Sequence, residues 1–422
     1  MGLNILLVNP NRFQNPPVIP ISLEYLVTAL EKHNHKVEIL DLCFSDTPKN
    51  NLDKILNEKT FDMVGFTIRN IDSALYFNNE FFLPDFKPLI QCVKEQNIPI
   101  ILGGSGFSAM PNEILAYLEA DFGIIGPGEK IFPKFLELWQ SKKITKKIFD
   151  GWEAGLDKEL VNLRGDNVDY SRYLKEEGIV GFETHFGCNN QCPYCIEANT
   201  RLHFRDISCI IEELAHLVNQ GYNHFHTCDT EFNTDLKFSI DFCTALIKRN
   251  LDLKWALYMK PTPNNEKLFE LLHKSNAYLI TLSVDSDERI QKLNSYTYDD
   301  LIQIVNYCQK YDIKLAIDLL LGYPDEPLES VKKMINFFKV NRPFTVGIGF
   351  NYRVYNHTPL ARLIKGDSSL QKKLNRPYTN SEDFLKPIFY NHLSQETLEE
   401  LIDYDDLFKI AGITPGVNYQ LI

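Results

Sequence analysis

Between residues 178 and 355 the chain alternates short apolar runs with amphipathic stretches, and this rhythm constrains its fold more than any other feature. The candidate strands are Ile179–Thr184, His224–Cys228, Lys254–Met259, Tyr278–Val284, Lys314–Leu321 and Thr345–Asn351. The helices between them include Ile207–Asn219, Leu236–Arg249, Asn265–His273, Tyr298–Lys310 and Leu328–Phe338. Strands separated by helical spacers run parallel, since a parallel neighbour is reached only through a long crossover. In barrels of such units the chemistry sits at the carboxyl ends of the strands.

Residues 1–145 repeat the theme, with strands expected at Asn4–Val8, Lys36–Leu40, Asp62–Ile68, Pro99–Leu102 and Asp121–Ile125 and a helix over Ser22–Lys32. This pattern predicts a doubly wound, Rossmann-like α/β module that binds a ligand at its strand ends, near the topological switch point. The loops after those ends contain Asn9, then Arg69 and Asn70, then Gly103, Gly104 and Ser105, then Gly126, Gly128 and Glu129. Glycine there lets backbone approach a ligand. Taken singly, each loop reads as readily as a tight turn. His33 and His35, the only histidines of this region, are expected in solvent. Residues 146–177 read as a linker over the surface with Trp152 and Leu163 as anchors, and 356–422 as a small extension with an acidic helix over Gln395–Leu407.

The first barrel strand leads into Gly187-Cys188-Asn189-Asn190-Gln191-Cys192-Pro193-Tyr194-Cys195, a C-x3-C-x2-C run. Three thiolates on one loop can hold three irons of a [4Fe-4S] cluster and leave the fourth open to another ligand. A structural zinc site needs four ligands, usually as two pairs, and no second C-x2-C pair exists; His185 or Cys228 could complete it only by accident of folding. Nine cysteines in 422 residues are too sparse and too odd for a disulfide framework. Cys228 is expected to be a buried, inert thiol.

The cysteine run and the aromatic Tyr194 inside it resemble the radical SAM superfamily. The resemblance implies a partial (β/α)6 barrel in which S-adenosyl-L-methionine chelates the open iron. It implies that Asp229 or Glu231, in Cys228-Asp-Thr-Glu-Phe-Asn233, binds the amino end of SAM, and that Lys260, Ser283 and Asp285 lie at the ribose and carboxylate positions. Gly322 and Tyr323 open a Gly-Tyr-Pro-Asp-Glu segment similar to the family's G-x-P-G-E turn beside adenine, with Asp325 in place of the usual glycine. Asn356-His-Thr-Pro-Leu-Ala-Arg362 resembles the family's closing segment.

In the first module, Val-Asn-Pro, Val-Gly-Phe-Thr, Leu-Gly-Gly and Gly-x-Gly-Glu follow in the order of the cobalamin-binding domain that precedes many radical SAM domains. The D-x-H-x-x-G motif that supplies a lower histidine to cobalt is absent. The resemblance then makes Arg69 the candidate beneath the corrin, where a fixed cation would favour electron-rich cobalt. A cap or surface ion pair is the plain alternative for this arginine.

The fold class so expected is α/β: a cobalamin-binding domain at 1–145, a linker at 146–177, a partial radical SAM barrel at 178–355 and a small, mostly helical extension at 356–422. The implied function is a cobalamin-dependent radical SAM methyltransferase acting on an unactivated carbon or phosphorus centre. The alternatives are a cyclisation or rearrangement with the same cofactors, and a non-catalytic corrinoid- or metal-binding protein. A net charge of −12 argues against a nucleic-acid partner. No apolar run approaches the roughly 20 residues that span a bilayer. Small-molecule, lipid or peptide substrates remain open, an electron donor such as flavodoxin or ferredoxin is implied, and a cytoplasmic, reducing setting is expected.

Overall fold

A computed structural model of the chain describes residues 2–263 and 265–414; residues 415–422, the end of the expected extension, lie outside the described residues. The chain divides into two units, Met1–Ser73 with Glu80–Gly181 and His203–Gly221, and Ala74–Asn79 with Phe182–Leu202 and Tyr222–Ile422.

The first unit is built on a sheet with strands β1 (Asn4–Asn9), β2 (Lys36–Asp41), β3 (Met63–Thr67), β4 (Ile100–Gly103), β5 (Phe122–Ile125) and β6 (Ile148–Asp150). Their order is β2-β1-β3-β4-β5-β6 and every pairing is parallel. Five of the six are the expected strands; β6 is an addition of three residues. The order reverses at β1, so the switch point lies between β1 and β3, at whose ends stand Asn9 and Arg69. The helix Ile21–Glu31 turns Leu23, Val27 and Leu30 onto the sheet at helical spacing, where they pack with Ile5, Leu7, Phe132 and Phe135.

Two expectations for this unit fail. His35 is buried rather than solvent-exposed: its Nδ1 accepts the Leu3 N–H at 3.1 Å, and burial holds its pKa below the usual histidine value. Leu163 is no anchor, being 59% exposed. The buried residue is its neighbour Arg164, at 1%. Its Nε donates to Glu213 Oε1 at 2.6 Å, and Arg205 Nη2 donates to Glu213 Oε2 at 2.6 Å. Tyr25 donates its hydroxyl to Glu213 Oε1 at 2.9 Å. Arg164 also donates to Gly181 O and to the Tyr170 hydroxyl, which in turn donates to Glu24. Burial pushes the Glu213 carboxyl up, but the Arg205 and Arg164 guanidiniums together outweigh it and leave it below the usual carboxylate value.

The second unit carries a seven-stranded sheet. In chain order its strands are β7 (Val180–Phe182, of which Phe182 falls in this unit), β8 (His224–Thr227), β9 (Lys254–Met259), β10 (Ala277–Asp285), β11 (Lys314–Leu320), β12 (Thr345–Gly349) and a late strand, Phe408–Ile410. The first six lie side by side in that order, and the late strand pairs in parallel with β12 at the edge. The six-unit pattern is therefore present, and the C-terminal stretch adds a strand as well as short helices. A separate antiparallel hairpin joins Asn351–Arg353 to Phe389–Asn391.

Side-chain alternation divides this sheet into two faces. Phe182, Phe225 and Trp255 face the helix Leu236–Arg249, where Phe242 meets Trp255 at 5.7 Å between ring centroids. That helix starts where Asp235 accepts the Phe238 N–H at 2.8 Å, buries Ser239, Phe242, Cys243 and Leu246, and ends at Asn250 in the left-handed conformation. Each fully buried aromatic of this cluster stabilises the unit by about 1.5–3 kcal/mol relative to exposure. The other face is more polar. The register aligns His226 with Ala256, Tyr258 with Thr281, and Ser283 with Asp318.

Candidate functional site

The cysteine loop leaves the barrel through Gly187, whose φ is +90° and whose Cβ, if present, would lie 2.2 Å from the Arg201 carbonyl oxygen. Only glycine makes that turn. The loop is then fixed from several sides. Thr230 donates its hydroxyl to Gly187 O at 2.8 Å. Cys188 N–H donates to Thr200 Oγ1 at 2.9 Å, and Thr200 N–H donates to Cys188 O at 2.9 Å. Gln191 N–H donates to Asn294 Oδ1 at 2.8 Å, and Leu360 N–H to Pro193 O at 2.9 Å.

Cys188 is buried, Cys192 and Cys195 are half-buried, and all three are free thiols. Burial pushes each thiol up, that of Cys195 to about 11, so a metal must displace their protons. Cys195 interacts electrostatically with both Cys188 and Cys192. Among the described residues no three His, Cys, Asp or Glu side chains form a site for a single ion. The corners of an iron–sulfur cluster make no such demand, because each thiolate holds a different iron. The donor set fits a [4Fe-4S] cluster with one open iron.

Around this loop the expected SAM residues fall into two groups. Asp229 is buried with both oxygens committed: Oδ1 accepts the Thr184 N–H at 2.7 Å and Oδ2 the Thr184 hydroxyl at 2.7 Å. It ties the end of β7 to the end of β8. Glu231 is different. Its Oε2 is buried without a hydrogen-bond partner. Burial pushes its carboxyl up to about 8, while the Ser283 hydroxyl and the Lys260 cation pull the other way. Lys260 donates to Asn189 Oδ1 in the cysteine loop at 2.8 Å. Tyr194 donates its hydroxyl to Asp285 Oδ1 at 2.8 Å, and burial pushes that carboxyl up to about 7. Glu231, Lys260, Ser283, Asp285 and Tyr194 therefore belong to one electrostatically coupled group with Cys188 and Cys192.

Asp318 joins this group as a neighbour of Glu231 and lies outside the motifs named above. Its signal was present, as a single charge inside the apolar run Leu315-Ala-Ile-Asp-Leu-Leu320. Cys228 is exposed, which corrects the expectation of a buried thiol. His185 and His226 are buried, His226 packing on the Tyr258 ring at 5.0 Å.

The turn after β11 is held by Glu326, whose Oε2 accepts the Gly322 N–H at 2.7 Å and the Tyr323 N–H at 3.3 Å. Asp325 has φ +61°, so the position favours glycine for a backbone reason, and aspartate is among the few residues that tolerate it. Asp325→Gly is expected to leave the melting temperature unchanged or raise it. Asp325→Val should cost about 1–2 kcal/mol, because a β-branched side chain fits poorly in the left-handed region. Thermal melts of the two variants check this.

In the first unit, Arg69, Asn70, Gly103, Gly104, Gly126 and Gly128 are half-buried at the carboxyl ends of their strands and Ser105 is exposed. Gly104 has φ +99°, and a Cβ there would lie 2.7 Å from Ile68 O, so the loop after β4 hugs the end of β3. Ser105 donates its hydroxyl to Arg69 O at 2.9 Å, and Gly106 N–H donates to the same oxygen at 2.8 Å. Asn9 Nδ2 donates to Asp41 Oδ1 at 2.9 Å and its Oδ1 accepts the Asn11 N–H at 3.2 Å, so this side chain organises its own loop. Glu129 is buried with Oε2 unpartnered, and burial pushes its carboxyl up. A glycine-lined rim with one arginine and an orphaned carboxyl oxygen fits a large polar cofactor such as cobalamin.

Comparison with known proteins follows the same division. Residues 15–136 match the B12 binding domain, and residues 182–338 match the Radical SAM superfamily. The chain belongs to the cobalamin-binding radical SAM superfamily, whose cofactors are a [4Fe-4S] cluster, S-adenosyl-L-methionine and cobalamin. It is similar to the tryptophan 2-C-methyltransferase of Streptomyces laurentii, 23% identical over 443 residues that cover 85% of this chain and 74% of that one. Its fold matches the radical S-adenosylmethionine methyltransferase TsrM of Kitasatospora setae with cobalamin and [4Fe-4S] cluster bound, at TM-score 0.89 and 24% identity over 99% of this chain and 94% of that chain. The same enzyme with tryptophan and a SAM analogue bound matches at TM-score 0.86 and 23% identity, covering 99% of this chain and 92% of that chain.

Proposed function

We propose that this protein is a cobalamin-dependent radical SAM methyltransferase acting on a small-molecule substrate. The observation that carries the reading is the presence, in one chain, of a B12 binding domain and a radical SAM domain with an intact three-cysteine loop. The similarity to methyltransferases supports the methyl-transfer outcome over a rearrangement. When bound, the cluster and cobalamin supply electron transfer to SAM and a transferable methyl group. Methyl transfer is tested by incubating reconstituted protein with SAM and a reductant. Tryptophan, the substrate of the relative, is the first compound to try. A product heavier by one methylene supports methylation, and SAM turnover with a product of unchanged mass points to rearrangement.

The protein's own residues then divide the work. Cys188, Cys192 and Cys195 would hold the cluster, and Glu231 would accept the SAM ammonium on its unpartnered oxygen. Lys260, Ser283 and Asp285 would line the ribose and carboxylate side, with Tyr194, Gly322 and Tyr323 near adenine. Asn9, Asn70, Gly103, Gly104, Ser105, Gly126, Gly128 and Glu129 would line the corrin rim. Arg69 would lie under the cobalt. The domain limits at 1–145, 146–177, 178–355 and 356–422 remain part of this proposal, as do an external electron donor and a cytoplasmic setting. Among the described residues, no helix is long and apolar enough to cross a membrane.

Glu231 gives this reading a pH signature. Its folded pKa is raised to about 8 by burial from an ordinary 4.5, so the folded state binds the proton more tightly than the unfolded state. Its contribution to stability is fully present below about 4.5 and is lost as pH rises through about 8. Glu231→Gln should therefore flatten the fall in melting temperature of SAM-free protein between about pH 5 and 8.5. The same variant should weaken SAM binding about 10- to 100-fold, the worth of a hydrogen bond to a charged group. Equal affinity in the variant would remove Glu231 from the SAM site.

A further inference from the structure

We propose that Asn294 is a positioning residue for the iron–sulfur cluster, holding the cysteine loop with one end of its amide and donating to a cluster sulfur with the other. The inference rests on the cluster reading above and goes beyond it. Asn294 Oδ1 accepts the Gln191 N–H at 2.8 Å, and its Nδ2 donates to Cys192 Sγ at 3.3 Å. One side chain thus bridges adjacent residues of the loop, fixing the backbone just before the cysteine whose sulfur it contacts.

The placement of Asn294 is firm for local reasons. It ends the helix Glu288–Leu293, and its N–H donates to Ile290 O at 3.0 Å. The other end of that helix is capped by Asp287, which accepts the Arg289 N–H at 2.8 Å, and Arg289 Nη2 donates onward to Pro324 O at 2.7 Å. Gln291 Nε2 donates to Asp285 O at 2.8 Å, so the helix is bound to the end of β10. The amide is delivered to the loop by a short element clamped at its start, middle and end.

The other two cysteines are served differently. Cys195 takes hydrogen bonds from the Glu197 and Ala198 backbone and Cys188 from the Asn190 backbone, while the Thr230 hydroxyl proton goes to Gly187 O. Hydrogen bonds to ligand sulfurs spread the negative charge of the reduced state and raise the reduction potential of a cluster. In this enzyme class an electron must enter the cluster before SAM is cleaved, so a donor at Cys192 makes that entry easier. Asn294 therefore has two separable effects, holding the loop through its oxygen and tuning the potential through its nitrogen.

Asn294→Asp separates them. It keeps an acceptor for the Gln191 N–H, removes the donor to Cys192 and places negative charge beside the sulfur. Asn294→Leu removes both contacts. The parent and both variants would be reconstituted anaerobically, their iron counted, and their clusters titrated reductively under electron paramagnetic resonance without SAM. Asn294→Asp is expected to keep the iron of the parent while its midpoint moves to more negative potential. Asn294→Leu should move the same way and lose part of its iron; if it does not fold, Asn294→Asp alone decides. A midpoint for Asn294→Asp equal to that of the parent overturns the role of Asn294 and leaves the cluster reading standing. A parent chain that binds no iron overturns both.

Discussion

Replacing Cys188, Cys192 and Cys195 together with alanine is expected to take bound iron from about four per chain to near zero and to reduce methyl transfer to background. The effect is this large because no other thiol belongs to the loop. Cys43, Cys92, Cys209, Cys243 and Cys308 are buried elsewhere, and burial pushes the Cys43 and Cys92 thiols up to about 11 and 12. Exposed Cys228 does not replace them, and Cys228→Ala is expected to keep the parent's iron. The loop itself should survive the triple change, since Thr230, Thr200, Asn294 and Leu360 hold it through its backbone. Circular dichroism and a corrinoid count unchanged from the parent would show that only the iron was lost. Iron retained in the triple variant would mean that the cluster is held elsewhere.

Arg164→Met is expected to be the most destabilising single change outside the cofactor loop, costing about 3–5 kcal/mol, because it removes the cation shared by two buried carboxylates and takes from Glu24 its ion-pair partner. Arg164 and Glu213 are 1% and 0% exposed, and loss of the guanidinium leaves Glu213 with Arg205 as its remaining cation in the pair. It also strips a donor from the Tyr170 hydroxyl and from Gly181 O. A surface pair supplies the contrast. Lys32 and Asp157 lie 2.6 Å apart with side chains 52% and 33% exposed, and Lys32→Met should cost about 0–1 kcal/mol. Urea unfolding of the two variants measures the difference. Equal midpoints would mean that packing alone seats the segment around Arg164.

The strands of both units were legible because each is a short apolar run bounded by turns or helices, and the parallel order follows from the spacers between them. The late edge strand Phe408–Ile410 was not, since three residues carry no period and its partner β12 lies some sixty positions earlier. In the sequence Leu163, not Arg164, carries the apolar signal of an anchor. A buried arginine becomes plausible only once Glu213, Arg205 and Tyr170 are known to surround it, and those come together through the fold. The burial of His35 is hidden for a similar reason, its partner being the backbone of Leu3. At the site, the cysteine spacing was self-sufficient. By contrast, the choice between Asp229 and Glu231 needed the geometry that spends both Asp229 oxygens on Thr184 and leaves Glu231 Oε2 without a partner. Asp325 reads as a departure in the sequence and as a conservative one in the structure, since its left-handed backbone is what the turn requires. Asn294 had no signal at all, being one asparagine in a loop a hundred positions from the sulfur it touches.

The central claim is that this one chain binds two redox-active cofactors, a cluster in its barrel loop and a corrinoid at the strand ends of its first module. Its most direct test is metal and corrinoid analysis, with an ultraviolet–visible spectrum, of protein purified anaerobically after reconstitution with iron, sulfide and hydroxocobalamin. About four irons and one corrinoid per chain is the predicted result. Iron without corrinoid would contradict the account, leaving a radical SAM enzyme whose first module holds no cobalamin.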